Sequence, residues 1–102
     1  MDKVKTEGMV LWLPAEGPPQ LLPKPKELKA WQKLVGGYVE RTSYHVFEAI
    51  VNEEGRLRGL PQNRHIPLYV GDVVLCRRDF RVLTTKDFVI LKELKLLPED
   101  KA

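Results

Sequence analysis

The apolar positions of the chain fall into short runs separated by prolines and glycines. From Thr6 to Leu13, Met9, Leu11 and Leu13 alternate with Val10 and Trp12. Apolar side chains on both faces predict a strand covered on two sides, or one lying in a sheet interior. Pro14 to Pro25 holds five prolines, which predicts an ordered loop with a short edge strand at Gln20 to Leu22. In Lys26 to Val35 the residues Leu28, Trp31, Leu34 and Val35 recur at helical spacing, with Pro25 suited to a first turn. Gly36 and Gly37 end that helix, one of them as a left-handed cap. The same pair has a second reading, since glycine also lets another backbone or a ligand come close.

Tyr38 to Asn52 is rich in aromatic and β-branched residues and reads as two strands with a bend at Arg41 to Ser43. Asn-Glu-Glu-Gly at 52–55 reads as a hairpin turn with Gly55 at positive φ, and Arg56 to Leu60 as the returning strand. Gly59 to Pro67 is a loop. Leu68 to Val70 leads into a turn at Gly71 and Asp72, and Val73 to Phe80 is a strand. Thr84 to Leu97 carries both periods; the expectation is a strand at 87–92 followed by a short helical turn. These elements predict one α+β domain over 1–102. It has a mostly antiparallel sheet of about five strands with one helix packed on a face, a proline-rich ordered loop at 14–25 and a frayed tail at 98–102.

Composition narrows the setting. The chain has 102 residues, a single cysteine, and no apolar run long enough to cross a bilayer. Cys76 sits among Val73, Val74 and Leu75, so a buried, inert thiol is expected rather than a disulfide, a zinc ligand or a nucleophile. The first residues lack the apolar core of a leader peptide, and a reducing cytoplasm is expected. Ser43 is the one serine, while asparagine and glutamine together number five. Few amides, many charges and prolines in loops are the composition of a thermophile protein.

The net charge of +3 is unevenly placed. Six of the seven arginines, and no lysine, lie between residues 56 and 81. Arginine presents a rigid fork of donors that grips carboxylates and phosphates in paired bonds. Arg56 and Arg58 would share a strand face, two residues apart. Gln62, Asn63, Arg64 and His65 follow on a loop, with Tyr38 and Tyr69 as stacking partners. Forks, an amide and an aromatic plane suit a nucleotide-type ligand or a nucleic-acid strand. The other reading is an edge strand defended by charge, its arginines paired to Glu53, Glu54 or Asp72.

Catalytic patterns are missing. There is no glycine-rich phosphate loop, Ser43 lacks a nucleophile context, and His45 and His65 sit in no metal-ligand motif. A non-enzyme without a cofactor or metal is expected.

Three strings carry a resemblance: KLVGGYVE at 33–40, VNEEGRLRGLPQNR at 51–64 and VGDVVLC at 70–76. They resemble a family of small domains of unknown function common in phage and plasmid genomes. Its members show a helix ending in V-G-G-Y-I-E, a hairpin with E-x-G, then L-x-x-L-P-x-N and a late strand with G-D-V-V-V. The resemblance spans a little under half the chain and offers no catalytic residues. It implies an accessory protein of a mobile element, acting in the host cytoplasm. Leu60 to Asn63 match a family motif inside the arginine region. The expected function is non-catalytic binding of an anionic nucleotide-type ligand or nucleic-acid phosphate, which could sequester a host signal. The expected site residues are Arg56, Arg58, Gln62, Asn63, Arg64, His65 and Tyr38. The alternative is an effector that inhibits or modulates a host enzyme by protein–protein contact. No membrane partner is expected, and a homo-oligomer stays open.

Overall fold

The computed structural model describes residues 8–98. The expected strand start at Thr6 and the tail beyond residue 98 lie outside them. Five strands form one antiparallel sheet: β1 (Met9–Leu13), β2 (Gln20–Pro23), β3 (Val39–Tyr44), β4 (Phe47–Asn52) and β5 (Val73–Cys76), in the order β2-β1-β5-β4-β3. The proline-rich segment does carry the short edge strand, as β2. β1 and β5 are interior and fully apolar, which is why their side chains gave no polar face.

Two helices cover the sheet, one on each face, where one had been expected. Helix α1 (Leu28–Val35) packs Trp31 and Val35 on Val10, Ile50, Val74 and Cys76. It starts two residues later than its apolar spacing suggested, and Leu28 at its first turn is exposed. Helix α2 (Thr85–Glu93) packs Leu91, with Leu96 beyond its end, on Leu11, Leu13, Val73 and Leu75. The strand expected at 87–92 is therefore a helix. A capping box decides this: the Thr84 hydroxyl accepts from the Asp87 N–H, and the Asp87 carboxylate accepts from the Thr84 N–H at 2.8 Å. Two first-turn donors are thereby satisfied, against which the β-propensity of Phe88 to Ile90 is weak.

Four other expectations are corrected. The bend placed at Arg41 to Ser43 is a two-residue hairpin turn at His45–Val46, with His45 at φ 56°. The strand placed at Val73 to Phe80 ends at Cys76. Residues 78–80 form a short 3-10 turn, with Asp79 and Phe80 at positive φ and reciprocal backbone bonds between Arg77 and Arg81. The strand placed at Arg56 to Leu60 is a chain of tight turns. The Asn52 side-chain oxygen accepts from Glu54 N–H at 2.8 Å and starts them. Bonds from Arg58 N to Glu54 O and from Leu60 N to Gly55 O continue the coil. Gly55 is not at positive φ; glycine is needed because a Cβ there would meet Val70 Cγ2 at 2.9 Å.

The sheet has two distinct ends. Both helices start beside the β3–β4 turn and finish at the opposite end, where β1 and β4 also stop. We call these the hairpin end and the helix-exit end. Gly36, at φ 80°, caps α1 there, as one of the glycine pair was expected to do.

Candidate functional site

All seven expected site residues lie on segments that meet at the helix-exit end, but they do not form one surface. Arg56 and Arg58 sit on turns, so they share no strand face. Arg56 Nη2 donates to Leu68 O at 3.0 Å, and Arg58 Nη1 donates to Gly36 O at 3.1 Å. Arg64 Nη1 reaches Glu16 O at 3.5 Å. Gln62 Nε2 donates to Pro67 O at 2.8 Å. Tyr38 is exposed.

Asn63 has no surface at all. Its amide donates to Leu13 O and Gly71 O, both at 2.9 Å, while its oxygen accepts from His65 N and Ile66 N. These four bonds tie β1, the start of β5 and the 63–66 loop together. The residue that looked fit for a base edge is the internal lock of its loop. Asn52 works the same way and escaped the sequence reading. Its amide donates to Val35 O at 3.1 Å, next to Gly37, where a Cβ would lie 2.8 Å from Asn52 Nδ2 and 3.3 Å from Arg58 Nη1. Gly36 is thus the cap, and Gly37 the glycine that admits a neighbour.

Arg64 and His65 do meet. They line a cleft of about 500 Å³ with Pro18, Pro19, Lys95 and Leu97. The His65 ring is fixed through Nε2, 2.6 Å from Gly17 O. Among the described residues, the lining of this cleft holds three basic side chains and no carboxylate. Lys95 was missing from the sequence reading. It follows the end of α2 at φ 60°, a left-handed position usually left to glycine. Once Thr85–Glu93 is read as a helix, the lysine just past its C-cap becomes a visible candidate.

A second groove, of about 570 Å³, lies on the other edge of the sheet. Its floor is Glu40, Thr42 and Val51, and its walls are Glu53, Arg56 and Leu57 on one side and Leu68 to Val70 on the other. The Tyr69 hydroxyl donates to Ser43 O at 3.2 Å, and its partial burial pushes its pKa up. With two carboxylates to one guanidinium, this groove does not favour an anion.

Two of the other arginines are held by carboxylates at close range. Arg41 lies 3.0 Å from both Glu48 and Asp79, and these carboxylates raise its pKa. Arg77 lies 2.9 Å from the buried Asp87. Among the described residues, Arg56, Arg58 and Arg64 pair with no carboxylate within 4.0 Å, which sets aside the partners Glu53, Glu54 and Asp72. Cys76 is buried, as expected. Burial pushes its thiol up to about 12, so it is a poor nucleophile.

A family profile described as Domain of unknown function (DUF3846) matches residues 5–94. The match extends well beyond the three strings that carried the resemblance, through β1 and α2. No curated protein and no solved structure matches the chain.

Proposed function

The chain belongs to this family of domains of unknown function, and we propose that it is a non-catalytic binding protein for a small anionic ligand of nucleotide type. The ligand sits in the cleft of Arg64, His65 and Lys95. The observation that carries this reading is the lining itself: three basic side chains converge on about 500 Å³ with no carboxylate among the described lining residues. That volume suits a mononucleotide. Lysine and arginine hold its phosphate, while the ring of His65, anchored on Gly17, offers an edge for a further bond. A net charge of +3 is small for a duplex binder, whose affinity grows with each phosphate contacted. The resemblance to phage and plasmid proteins supports a mobile-element accessory that removes a host signal from the cytoplasm. The composition supports a thermophilic source.

Titration calorimetry with inorganic phosphate and a nucleoside monophosphate tests the reading. Binding should weaken about 10- to 100-fold in Arg64→Ala and in Lys95→Met, the worth of one charge-assisted bond. The ultraviolet spectrum of the purified protein provides an independent test through excess absorbance near ~260 nm from a retained base. Equal binding by the wild type and both variants overturns the proposal.

A further inference from the structure

The two edges of the sheet are treated differently. β2, at one edge, ends in Pro23 and is flanked by Pro18, Pro19 and Pro25, residues that cannot donate to an added strand. β3, at the other edge, is six residues long and contains no proline.

Its open hydrogen-bonding groups follow from the hairpin. Tyr44 and Phe47 flank a two-residue turn and exchange backbone bonds. Counting back along the antiparallel ladder, Thr42 and Glu40 also face β4. The N–H and C=O groups of Val39 and Arg41, and the N–H of Ser43, therefore point away from the sheet. Among the described residues none of these has a partner; Ser43 O is taken by Tyr69.

The side chains beside this edge are asymmetric in charge. On the α1 face, Arg41 is already held by Glu48 and Asp79. On the groove face, Glu40 and Glu53 make no ion pair among the described residues, and Arg56 is turned to Leu68 O. Leu57 and Leu68 beside them are 86% and 63% exposed, too apolar and too open for a wall that meets only water.

We infer that the β3 edge is a docking site for an extended peptide segment of a partner protein, added as a sixth strand. A lysine or arginine of that segment faces Glu40 and Glu53, and an apolar residue packs on Leu57 and Leu68. The β3 backbone supplies affinity, and the groove reads alternate side chains. The site is separate from the anion cleft, which lies at the β2 side. Either can fail without the other.

The test uses the acetylated, amidated peptide Ser-Thr-Lys-Val-Val-Thr-Ser, followed by amide chemical shifts of the full chain. Its lysine and the valine two residues later fall on one face, for Glu40 and Glu53 and for Leu57 and Leu68 respectively, while its threonines and central valine fall on the other. The expected result is perturbation confined to residues 39–43, 53–57 and 68–70. A peptide with glutamate for lysine should bind about tenfold more weakly, because like charges then lie opposite each other. N-methylation of the central valine should weaken binding at least as much, since it removes a ladder donor. Glu40→Lys should reverse the preference between the lysine and glutamate peptides, an outcome that a merely unfolded variant cannot give. The inference is overturned by an absence of shifts at millimolar peptide, or by equal binding of the N-methylated peptide. It is also overturned if shifts at 39–43 depend on protein concentration alone, which would make the occupant a second copy of the chain.

Discussion

At the hairpin end of the sheet, Arg41 sits 3.0 Å from Glu48 and Asp79, and Arg77 sits 2.9 Å from Asp87. At the helix-exit end, Arg56, Arg58 and Arg64 donate to the carbonyls of Leu68, Gly36 and Glu16. One stretch of sequence supplies arginines to both ends, and the two ends use them oppositely. A carboxylate cancels the guanidinium charge. A carbonyl fixes the guanidinium but leaves its charge available to an anion. Around Arg41 and Arg77 the hairpin end is therefore a closed ionic framework, whereas around Arg64 the helix-exit end keeps positive charge that no described carboxylate pairs, over a scaffold of amide bonds. Where a basic run folds onto two ends, its density in sequence says little about either; the identity of each acceptor decides what remains for a ligand.

The largest expected effect breaks the scaffold of the helix-exit end. Asn63→Ala removes four bonds and leaves Leu13 O and Gly71 O without their donor in the interior. It should cost about 3 kcal/mol in urea unfolding. It should also abolish phosphate binding by releasing the Arg64–His65 loop. Retention of wild-type stability would mean that neutral amide bonds do not organise this end. The matching cut at the hairpin end is Asp87→Ala. Asp87 accepts from Arg77 Nε, Thr84 N and the Thr84 hydroxyl while only 2% exposed. Loss of the cap and the pair should cost about 2 kcal/mol, and phosphate binding at the other end should survive.

Much of this architecture was legible in the sequence because it rests on period. β1, the edge strand at Gln20, the Trp31–Val35 stripe and the Gly36 cap all follow from apolar spacing or from glycine and proline. The strand reading failed where a side chain bonds the backbone locally. Asn52 coils 53–60 and Thr84–Asp87 starts α2, each overriding a local strand-like pattern. The candidate site suffered more from this than the fold did. Arg56 and Arg58 share a face only on a strand, and they lie on turns. Asn63 offers an amide in sequence, yet only the tertiary fold shows that all four of its bonds are internal. Lys95 comes close to Arg64 only through packing, which no local pattern carries.

A smaller effect concerns the titration of the hairpin end. Cys76 is buried beside Glu48 O at 3.8 Å, and its native thiol is pushed up to about 12 from 9.0. In the unfolded chain it ionises from about pH 9, and that ionisation stabilises the unfolded state alone. The group's contribution is intact below pH 9 and is lost as pH rises from 9 toward 12. Between pH 8 and pH 10 the wild type should therefore lose about 1 kcal/mol more than Cys76→Ala. Equal losses would mean that the thiol is already exposed, which rapid labelling of the native protein would confirm.

The smallest expected effect tests the comparison most directly, because it sets one arginine of each kind side by side. Arg81 lies 3.9 Å from Asp79 with both side chains largely exposed. Such a pair gains little in water, since screening and side-chain entropy offset the attraction, so Arg81→Ala should leave stability unchanged. Arg58 has no carboxylate, yet it donates to Gly36 O at the end of α1, where unpaired carbonyls concentrate the negative end of the helix dipole. Its guanidinium also packs against Gly37, where even a Cβ would come within 3.3 Å of Nη1. Arg58→Ala should therefore cost about 0.5–1 kcal/mol. Arg58→Lys should recover part of that, keeping the charge but losing the fork. Thermal unfolding of the three variants at low and ~0.5 M salt reads the difference, with salt narrowing it. A cost for Arg81→Ala equal to or above that for Arg58→Ala would overturn the comparison: the carboxylate-paired arginines would then support the fold, and those on carbonyls would be surface.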